Sequence, residues 1–572
     1  MESTDSKHHK KETAKQSRSP FDLIVNQIWS NKSFAERWPQ SSVSRFFKQS
    51  ENSLKSGYST NKNELEEMSP DSETDKNKQA LSDELNFADV EDTAGKWEQV
   101  AEFMDKLGKK PDHKCLNLNN CQLTTNDVGQ LAALLPNVPS VEELDLSWNE
   151  LPGGAVKLLC SHLQHTPQLR VLELASCQLS ELDISSLGDS VQLLVNIEKL
   201  DLSWNSELGG NLSLFAQKLQ THSTLKILKL VDCNLTEEDG VALGKALSVT
   251  TDLEVLDLSM NGSIGCGLAT LFQELRHVPH LQVLKLRNCG LTQVGVQMLG
   301  TALNYVPEMK KMVLSCNGIG DGFKETATHL LNVTQLQVFD IHECSLTEDD
   351  VSALTQIIPL LKNLQVLNLA LNKNIGQTVK HLIARIRFLP KFRNLNASSC
   401  NLTKESIVEL ADTLPHLTEL ETLNLSWNKS LGGNLGELLQ MLQNETRLRV
   451  LKLCSCNLTG HDMAALASIS SAGFLSSLEM LHLTYNNTVD DQSWMMFLQE
   501  INGLKLLSEL DIGLMPLSHR VCSLWLTDLL HALSRFPSLV ELGMHHWVIT
   551  ASQRERLDTY NKNNHRNIHF TY

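Results

Sequence analysis

The chain has 572 residues, a net charge of −17, 13 cysteines and an aromatic content of only 5%. Its hydrophobic content of 41% excludes wholesale disorder, because it supplies the material for a large core. The acidity argues against nucleic acid as a partner, since phosphate contacts need clustered Lys and Arg. No apolar run reaches the length of a membrane span, so none is expected.

The N-terminus lacks the apolar stretch of a secretory signal. An odd number of cysteines in a long chain does not suit a secreted disulfide scaffold. We therefore expect reduced thiols and a cytoplasmic protein, with nuclear access left open.

Residues 1–95 are predicted to form a disordered tail, rich in Ser, Lys, Asn and Glu. Two apolar segments interrupt it, at 21–29 and 34–47. Three interpretations of them stay open: local clustering in a linker, a helix that docks into a groove, or weak attachment to an anionic membrane. Residues 96–112 follow as a predicted N-terminal cap helix, since KWEQVAEFMDKLGK is amphipathic.

From residue 113 to 550 the chain repeats a 28-residue unit that alternates between a Cys form and an Asn form. The cysteines recur at intervals of 55 or 56 residues, at positions 121, 177, 233, 289, 344, 400 and 456. Asparagines lie midway, at 149, 205, 261, 317, 372, 428 and 486. Each unit follows LxxLxLxxN/C, the signature of a leucine-rich repeat.

Each unit predicts a short strand, a loop and a helix. In the L-x-L segment the leucines alternate with exposed residues, which is typical of a strand with one buried face. One unit cannot bury its own leucines, but stacked units share a continuous core. The sequence thus predicts an α/β solenoid of about 16 repeats, a leucine-rich repeat horseshoe with a parallel concave sheet and convex helices.

The periodic Asn and Cys residues are interpreted as architecture. At the end of a strand each can bond to the turn and to the neighbouring unit, contributing about one hydrogen bond of roughly 1 kcal/mol. The last two units, 507–515 and 539–547, lack this Asn or Cys, as capping repeats commonly do. Residues 551–572 are predicted to be a C-terminal cap and tail.

Alternating Cys and Asn units of 28 residues resemble the ribonuclease-inhibitor-like branch of leucine-rich repeat proteins. The segments LSWNSELGGNL (202–212), LSWNKSLGGNL (425–435) and LGKKPDHKCLNLNNCQLT (107–124) more narrowly resemble the leucine-rich repeat-containing protein 31 family. This resemblance implies an intracellular protein-binding scaffold. It also suggests ribonuclease inhibition as an alternative, although the aromatic concave residues of those inhibitors are missing from the strand positions here.

The concave strands carry the predicted partner site. Consecutive rungs about 4.8 Å apart alternate in charge, and flanking residues widen the strip. The members are Asp201, Lys229, Asp232, Asp257, Lys285, Arg287, Asp340, His342 and Glu343. Two interpretations stay open: a ladder of self-neutralising pairs, or a patterned surface that selects a complementary partner.

Four aromatic residues directly precede ladder asparagines and form a second candidate. They are Trp148, Trp204, Trp427 and Tyr485. They either pack over the following glycine turn or serve as interface anchors along one rim.

Motifs of catalysis and cofactor binding were not found. GVALGKA (240–246) lacks the spacing and the Ser/Thr of a phosphate-binding loop, and no H-E-x-x-H, G-x-S-x-G or C-x-x-C occurs. Cys454-Ser-Cys456 is interpreted as structural or incidental. The prediction is therefore a non-enzymatic intracellular scaffold that binds protein on its concave face, without cofactor or metal.

Overall fold

A computed structural model describes residues 88–151, 154–219, 223–442 and 447–572. Across these residues seventeen three-residue strands form one parallel sheet in chain order. They are β1 Cys115–Asn117, β2 Glu143–Asp145, β3 Val171–Glu173, β4 Lys199–Asp201, β5 Ile227–Lys229, β6 Val255–Asp257, β7 Val283–Lys285, β8 Lys311–Val313, β9 Val338–Asp340, β10 Val366–Asn368, β11 Asn394–Asn396, β12 Thr422–Asn424, β13 Val450–Lys452, β14 Met480–His482, β15 Glu509–Asp511, β16 Glu541–Gly543 and β17 His569–Thr571.

Helices connect the strands of this same part of the chain. The α-helices are α1 Ala88–Lys106, α2 Thr125–Leu134, α3 Ala155–Cys160, α4 Glu181–Val191, α5 Leu212–Ala216, α6 Glu237–Leu247, α7 Leu268–Glu274, α8 Gln293–Ala302, α9 Phe323–Thr326, α10 Glu348–Ile357, α11 Val379–Ile386, α12 Lys404–Thr413, α13 Leu435–Gln440, α14 Gly460–Ser471, α15 Asp491–Glu500, α16 Leu526–Leu533 and α17 Ala551–Asn563. Short 3₁₀ helices span Leu135–Asn137, Leu163–His165, Ser206–Leu208, Leu275–His277, Leu303–Tyr305, Ala327–Asn332, Ile358–Leu360, Lys373–Ile375, Leu414–His416 and Lys429–Leu431.

The predicted leucine-rich repeat solenoid is confirmed. Equivalent leucines face each other in register, as Leu200 does with Leu228, and the core they build is fully buried. Most neighbouring strands are offset by 28 residues, but β8 and β9 are offset by 27 and β13 and β14 by 30. The repeat is thus locally irregular at these two places.

Both ends of the sheet differ from the sequence prediction. Helix α1 begins at Ala88, within the range assigned to the tail, and ends at Lys106, before the predicted limit at 112. At the other end, β17 adds a seventeenth strand to the sixteen predicted, after α17. This last strand escaped prediction because IHFTY (568–572) lacks the leucine pattern. Residues 1–87, with both apolar segments of the predicted tail, lie outside the described residues.

Each ladder asparagine makes more bonds than predicted. The Oδ1 of Asn205 accepts hydrogen bonds from the backbone N–H of Cys177 and of Leu179 in the preceding unit, at 3.0 and 3.1 Å. Its Nδ2 donates to the carbonyls of Leu174 and Leu202, at 2.9 and 2.8 Å. One buried amide therefore joins two units through four principal bonds.

The ladder cysteines are inert architecture. The Cys177 thiol donates to the carbonyl of Leu146 in the preceding unit, at 3.2 Å. Burial raises the pKa of Cys177 to about 12, which keeps the thiol protonated at neutral pH. Cys233 and Cys400 are held in the same way.

A second ladder, not found in the sequence, joins the helices. The buried carboxylate of Asp239 completes a capping box with Thr236 at the start of α6. It also accepts from the backbone N–H of Gly210 and Leu212, at 2.6 and 3.1 Å, at the start of the preceding helix. One negative charge thus satisfies two helix N-termini. Equivalent residues are Asp183, Asp350 and Asp462.

The paired glycines of the Asn units fit this junction. A Cβ on Gly209 would lie 2.1 Å from the carbonyl oxygen of Asn234 in the next unit. Gly210 adopts φ +81°, a conformation that L side chains rarely take. The tight turn predicted at LGG is therefore required by a close approach and by a left-handed backbone.

The last described units replace the asparagine ladder with tryptophan. Trp547 occupies the ladder position of its unit, and its Nε1 donates to the carbonyl of Ile512 at 2.9 Å. Its ring packs edge-on against Trp525, with centroids 4.7 Å apart. As for membrane insertion, none of the described helices has both the length and the apolarity needed to cross a bilayer.

Candidate partner-binding face

The helix-free face of the sheet is the predicted concave surface. On each strand the middle leucine points into the core, while the first and third residues and the residue after the second leucine point away from it. In β4, for example, Leu200 is buried while Lys199 is half-exposed. This face therefore presents three side-chain rows that run across the units.

The predicted charged strip lies on this face, and its lysines are paired. Lys229 Nζ lies 3.0 Å from the carboxylate of Asp201, and Lys285 Nζ lies 2.8 Å from that of Asp257. Each lysine thus reaches back to the aspartate of the preceding strand. The alternating rungs form two closed pairs with the aspartates largely buried.

Arg287 differs from the two lysines. Its Nε is buried and has no hydrogen-bond partner among the described residues. On the next strand the Oγ of Ser315 is likewise buried without a partner in the described chain. Asp232, at the edge of the strip, is half-buried, and burial raises its pKa. The strip therefore contains donors whose hydrogen-bonding capacity the fold leaves unused.

The four predicted rim aromatics form two pairs. The rings of Trp148 and Trp204 lie 6.3 Å apart, and those of Trp427 and Tyr485 lie 6.0 Å apart. All four adopt positive φ, between 62° and 65°. Trp148 and Trp204 are 44% and 39% exposed, which argues against burial over the following loop.

The remaining strip residues converge with a cysteine that the sequence did not single out. The Nδ1 of His342 lies 2.7 Å from Oδ1 of Asp340, and its Nε2 lies 3.4 Å from the thiol of Cys316 on the preceding unit. The same thiol lies 3.5 Å from Oε2 of Glu343. We call Cys316, His342 and Glu343, with Asp340 behind the imidazole, the thiol–imidazole cluster.

The electrostatics of this cluster favour a charged imidazole. Burial by itself lowers the pKa of His342, but hydrogen bonds to Asp340 and to Cys316 and the charges of these groups raise it further. The net pKa is about 9. His342 is therefore an imidazolium at neutral pH, with its two ring nitrogens fixed by different partners.

A second thiol lies against an imidazole five units along the sheet. Burial raises the pKa of Cys454, but hydrogen bonding to His482 and its charge lower it further, below the ordinary thiol value. The Nε2 of His482 also lies 2.7 Å from Oε1 of Glu509. Cys454 thus differs from its neighbour Cys456, whose pKa is raised by burial in the ladder.

The comparisons with known proteins agree with this architecture. A family model described as "Leucine Rich repeat" matches residues 277–300. The ribonuclease inhibitor of Sus scrofa is 30% identical over 401 residues, which cover 68% of this chain and 87% of the inhibitor.

The chain belongs to the ribonuclease-inhibitor family of leucine-rich repeat proteins.

The inhibitor of Mus musculus is 28% identical over 394 residues, covering 68% of this chain and 86% of the inhibitor. A further relative, NACHT, LRR and PYD domains-containing protein 12 of Mus musculus, is 33% identical over 210 residues. That match covers 36% of this chain and 20% of the relative.

Within this family the interruptions of the repeat point to what sequence reasoning missed. Cys316 stands directly before ladder Asn317, where other Asn units carry Trp, Tyr, Met or Leu. The single 55-residue interval between ladder cysteines, Cys289 to Cys344, encloses it. A cysteine off the period beside the one shortened unit was therefore a usable signal. The contact of His482 with Glu509 had no such signal, because it joins two strands of an irregular region.

Proposed function

We propose that this protein is a non-enzymatic scaffold that binds a protein partner on its helix-free face. The proposal rests above all on the half-exposed aromatic pair Trp148 and Trp204, held at positive φ. A bulky residue in this conformation costs roughly 1–2 kcal/mol relative to an ordinary backbone. Exposed tryptophans that carry this cost without a core role are suited to anchor a partner.

The equivalent positions of the Cys units show that the fold does not need aromatic residues there. They carry small or polar side chains: Asn120, Ser176, Asp232, Asn288, Ser399 and Ser455. Asn, Asp and Ser tolerate this backbone or occupy little space, so they satisfy the turn alone. Ser176 also leaves the gap across which the rings of Trp148 and Trp204 meet. The two aromatic pairs thus form ridges beside the strand rows.

The charged strip supplies the second contact of the proposal. The pairs Asp201–Lys229 and Asp257–Lys285 are self-neutralised and contribute shape and polarity more than net charge. Arg287 instead offers a guanidinium with an unused Nε. A partner carboxylate would satisfy this group, and Asp340, His342 and Glu343 would border the same surface.

The test is quantitative affinity capture from cells that express the full chain. Trp148→Asn together with Trp204→Asn installs residues that this turn accepts, so thermal stability should be unchanged or higher. The matched control is Val294→Asn, because Val294 is 60% exposed on helix α8, away from the helix-free face. We expect the double variant to lose captured proteins that the control retains. An unchanged set of captured proteins at unchanged abundance would remove the proposal.

A second candidate, ribonuclease inhibition, is favoured by the 30% identity to the porcine inhibitor. Against it, none of the sixteen predicted strand positions is aromatic. Titration of the reduced chain against a cationic pancreatic-type ribonuclease separates the two functions. The scaffold proposal expects no loss of ribonuclease activity at a molar excess of the chain, whereas stoichiometric inhibition would replace it.

The narrower assignments are part of this proposal. We assign the chain to the leucine-rich repeat-containing protein 31 family on LSWNSELGGNL and LSWNKSLGGNL, and we place it in the cytoplasm on its reduced ladder thiols. Fluorescence imaging of the tagged full chain checks the location. A signal confined to secretory compartments would contradict it.

A further inference from the structure

The thiol–imidazole cluster has the composition of a metal site. Cys316, His342 and Glu343 each offer one ligand atom, and these atoms lie within 4.8 Å of one another. Thiolate, imidazole and carboxylate together form a donor set that suits a borderline-soft divalent ion such as Zn²⁺. The same residues lie at the edge of the helix-free face, where Glu343 is exposed and Cys316 is half-exposed.

The spacing of the ligand atoms also fits zinc. With Zn–S of about 2.3 Å and Zn–N of about 2.0 Å, tetrahedral coordination places the ligand atoms about 3.5 Å apart. The thiol of Cys316 lies 3.4 Å from Nε2 of His342 and 3.5 Å from Oε2 of Glu343. Small side-chain shifts would therefore admit the ion without movement of the strands.

The surroundings of His342 prepare its Nε2 as a ligand. Asp340 holds Nδ1 at 2.7 Å, an arrangement that fixes the ring and leaves Nε2 directed at Cys316. A carboxylate behind a ligating imidazole is the usual second contact of zinc sites. The amide Nδ2 of Asn368 lies 3.2 Å from the same Nδ1 and further restricts the ring.

The repeat is interrupted at this place. Strands β8 and β9 are offset by 27 residues, whereas the strands on either side keep an offset of 28. The shortened unit carries His342 and Glu343 next to the off-period Cys316. These residue types therefore converge where the chain departs from its own period, and the ladder does not explain them.

We propose that Cys316, His342 and Glu343 form a zinc-binding site on the helix-free face, with Asp340 orienting the imidazole. Binding replaces the thiol proton of Cys316 and the Nε2 proton of His342 by bonds to Zn²⁺, and two protons pass to solvent. Three protein ligands leave a fourth position, open to water or to a ligand atom of a bound molecule. The site lies apart from the aromatic pairs and does not depend on the scaffold proposal.

The experiment is a titration of the reduced, metal-free full chain with Zn²⁺, with equilibrium dialysis against a competing chelator. Cys316→Ser removes one ligand, and Cys454→Ser is the matched control, because Cys454 also lies beside an imidazole on this face. We expect wild type and Cys454→Ser to bind one more equivalent of zinc than Cys316→Ser does. Asp340→Asn should weaken this equivalent by 10–100-fold, since it loses only the orienting contact.

Cobalt(II) supplies a second readout that is independent of stoichiometry. A thiolate bound to Co²⁺ gives a sulfur-to-metal charge-transfer absorption, which should be present in wild type and in Cys454→Ser and absent in Cys316→Ser. Melting curves of the metal-free proteins report whether each variant is folded. Equal zinc stoichiometry in wild type and a folded Cys316→Ser would overturn the proposal, and so would a wild-type chain that binds zinc no tighter than about 100 μM.

Discussion

The ladder and the helix-free face use the same residue types for opposite purposes. In the ladder, Cys177 is buried, donates to a carbonyl and has its pKa raised to about 12. On the helix-free face, Cys454 meets an imidazole and has its pKa lowered. The position within the 28-residue unit thus decides whether a thiol is structural or reactive. The predictions below contrast these two regions, beginning with the largest effect.

The largest effect is expected at a ladder asparagine. Asn205→Ala leaves two backbone N–H groups and two carbonyls in the core without partners, and each unsatisfied buried group costs about 1–3 kcal/mol. We expect a loss of at least about 3 kcal/mol in the free energy of unfolding, measured by urea denaturation. Asn424→Ala on the helix-free face, whose Oδ1 accepts one bond at 3.1 Å, should cost about 1 kcal/mol or less. Equal losses would contradict the distinction.

The pH dependence of stability should reveal His342. Its pKa is about 9 in the folded chain against 6.5 for the free side chain. The stabilisation is therefore complete below pH 6.5 and disappears as the pH rises through 9, amounting to about 3 kcal/mol at most. The measurement is the difference in unfolding free energy between wild type and His342→Gln at pH 6 and at pH 9.5. A difference that does not change with pH would contradict the charged imidazole.

The second ladder predicts a smaller loss. Asp239→Ala removes the bonds to Gly210 and Leu212 as well as the capping box, and we expect a loss of about 2 kcal/mol. Glu238→Ala, in the first turn of the same helix but exposed, should cost less than about 0.5 kcal/mol. Chemical denaturation of the two variants compares them directly. A loss at Glu238 as large as that at Asp239 would mean that helix charge, rather than the bridge between units, matters.

The smallest change in stability is expected on the charged strip. Lys229→Glu with Lys285→Glu breaks two partly exposed ion pairs, each worth about 1 kcal/mol or less, and places like charges side by side. The melting temperature should fall by a few degrees at most, while capture of a partner that uses the strip should be lost. The same double change with an unaltered set of captured proteins would limit the strip to a structural role.

The sequence predicted the fold because the 28-residue period repeats the same burial requirement in every unit. Leu200, Leu228 and their equivalents could be placed without coordinates, since each must face the shared core. The second ladder was missed because Asp239 reads as an ordinary first-turn acid within its own unit. Its bonds to Gly210 and Leu212 appear only when two units are stacked.

The candidate site was predictable only in part. The strip residues follow from the strand period, so their placement on one face was foreseen. Which of them pair was not, because Lys229 can reach Asp201 or Asp257 on either side and side-chain rotamers decide between them. The approach of Cys316 to His342 depends on the shortened offset between β8 and β9, whose geometric effect the sequence does not reveal.

Site-resolved alkylation of the native chain tests the division between ladder and face most directly. The exposed Cys266 serves as the internal reference for an accessible thiol. At neutral pH we expect Cys316 and Cys454 to react with iodoacetamide while the buried ladder cysteines stay unmodified until the chain unfolds, and added Zn²⁺ should protect Cys316 but not Cys454. Ladder thiols that react as fast as Cys454 in the folded protein would contradict the account.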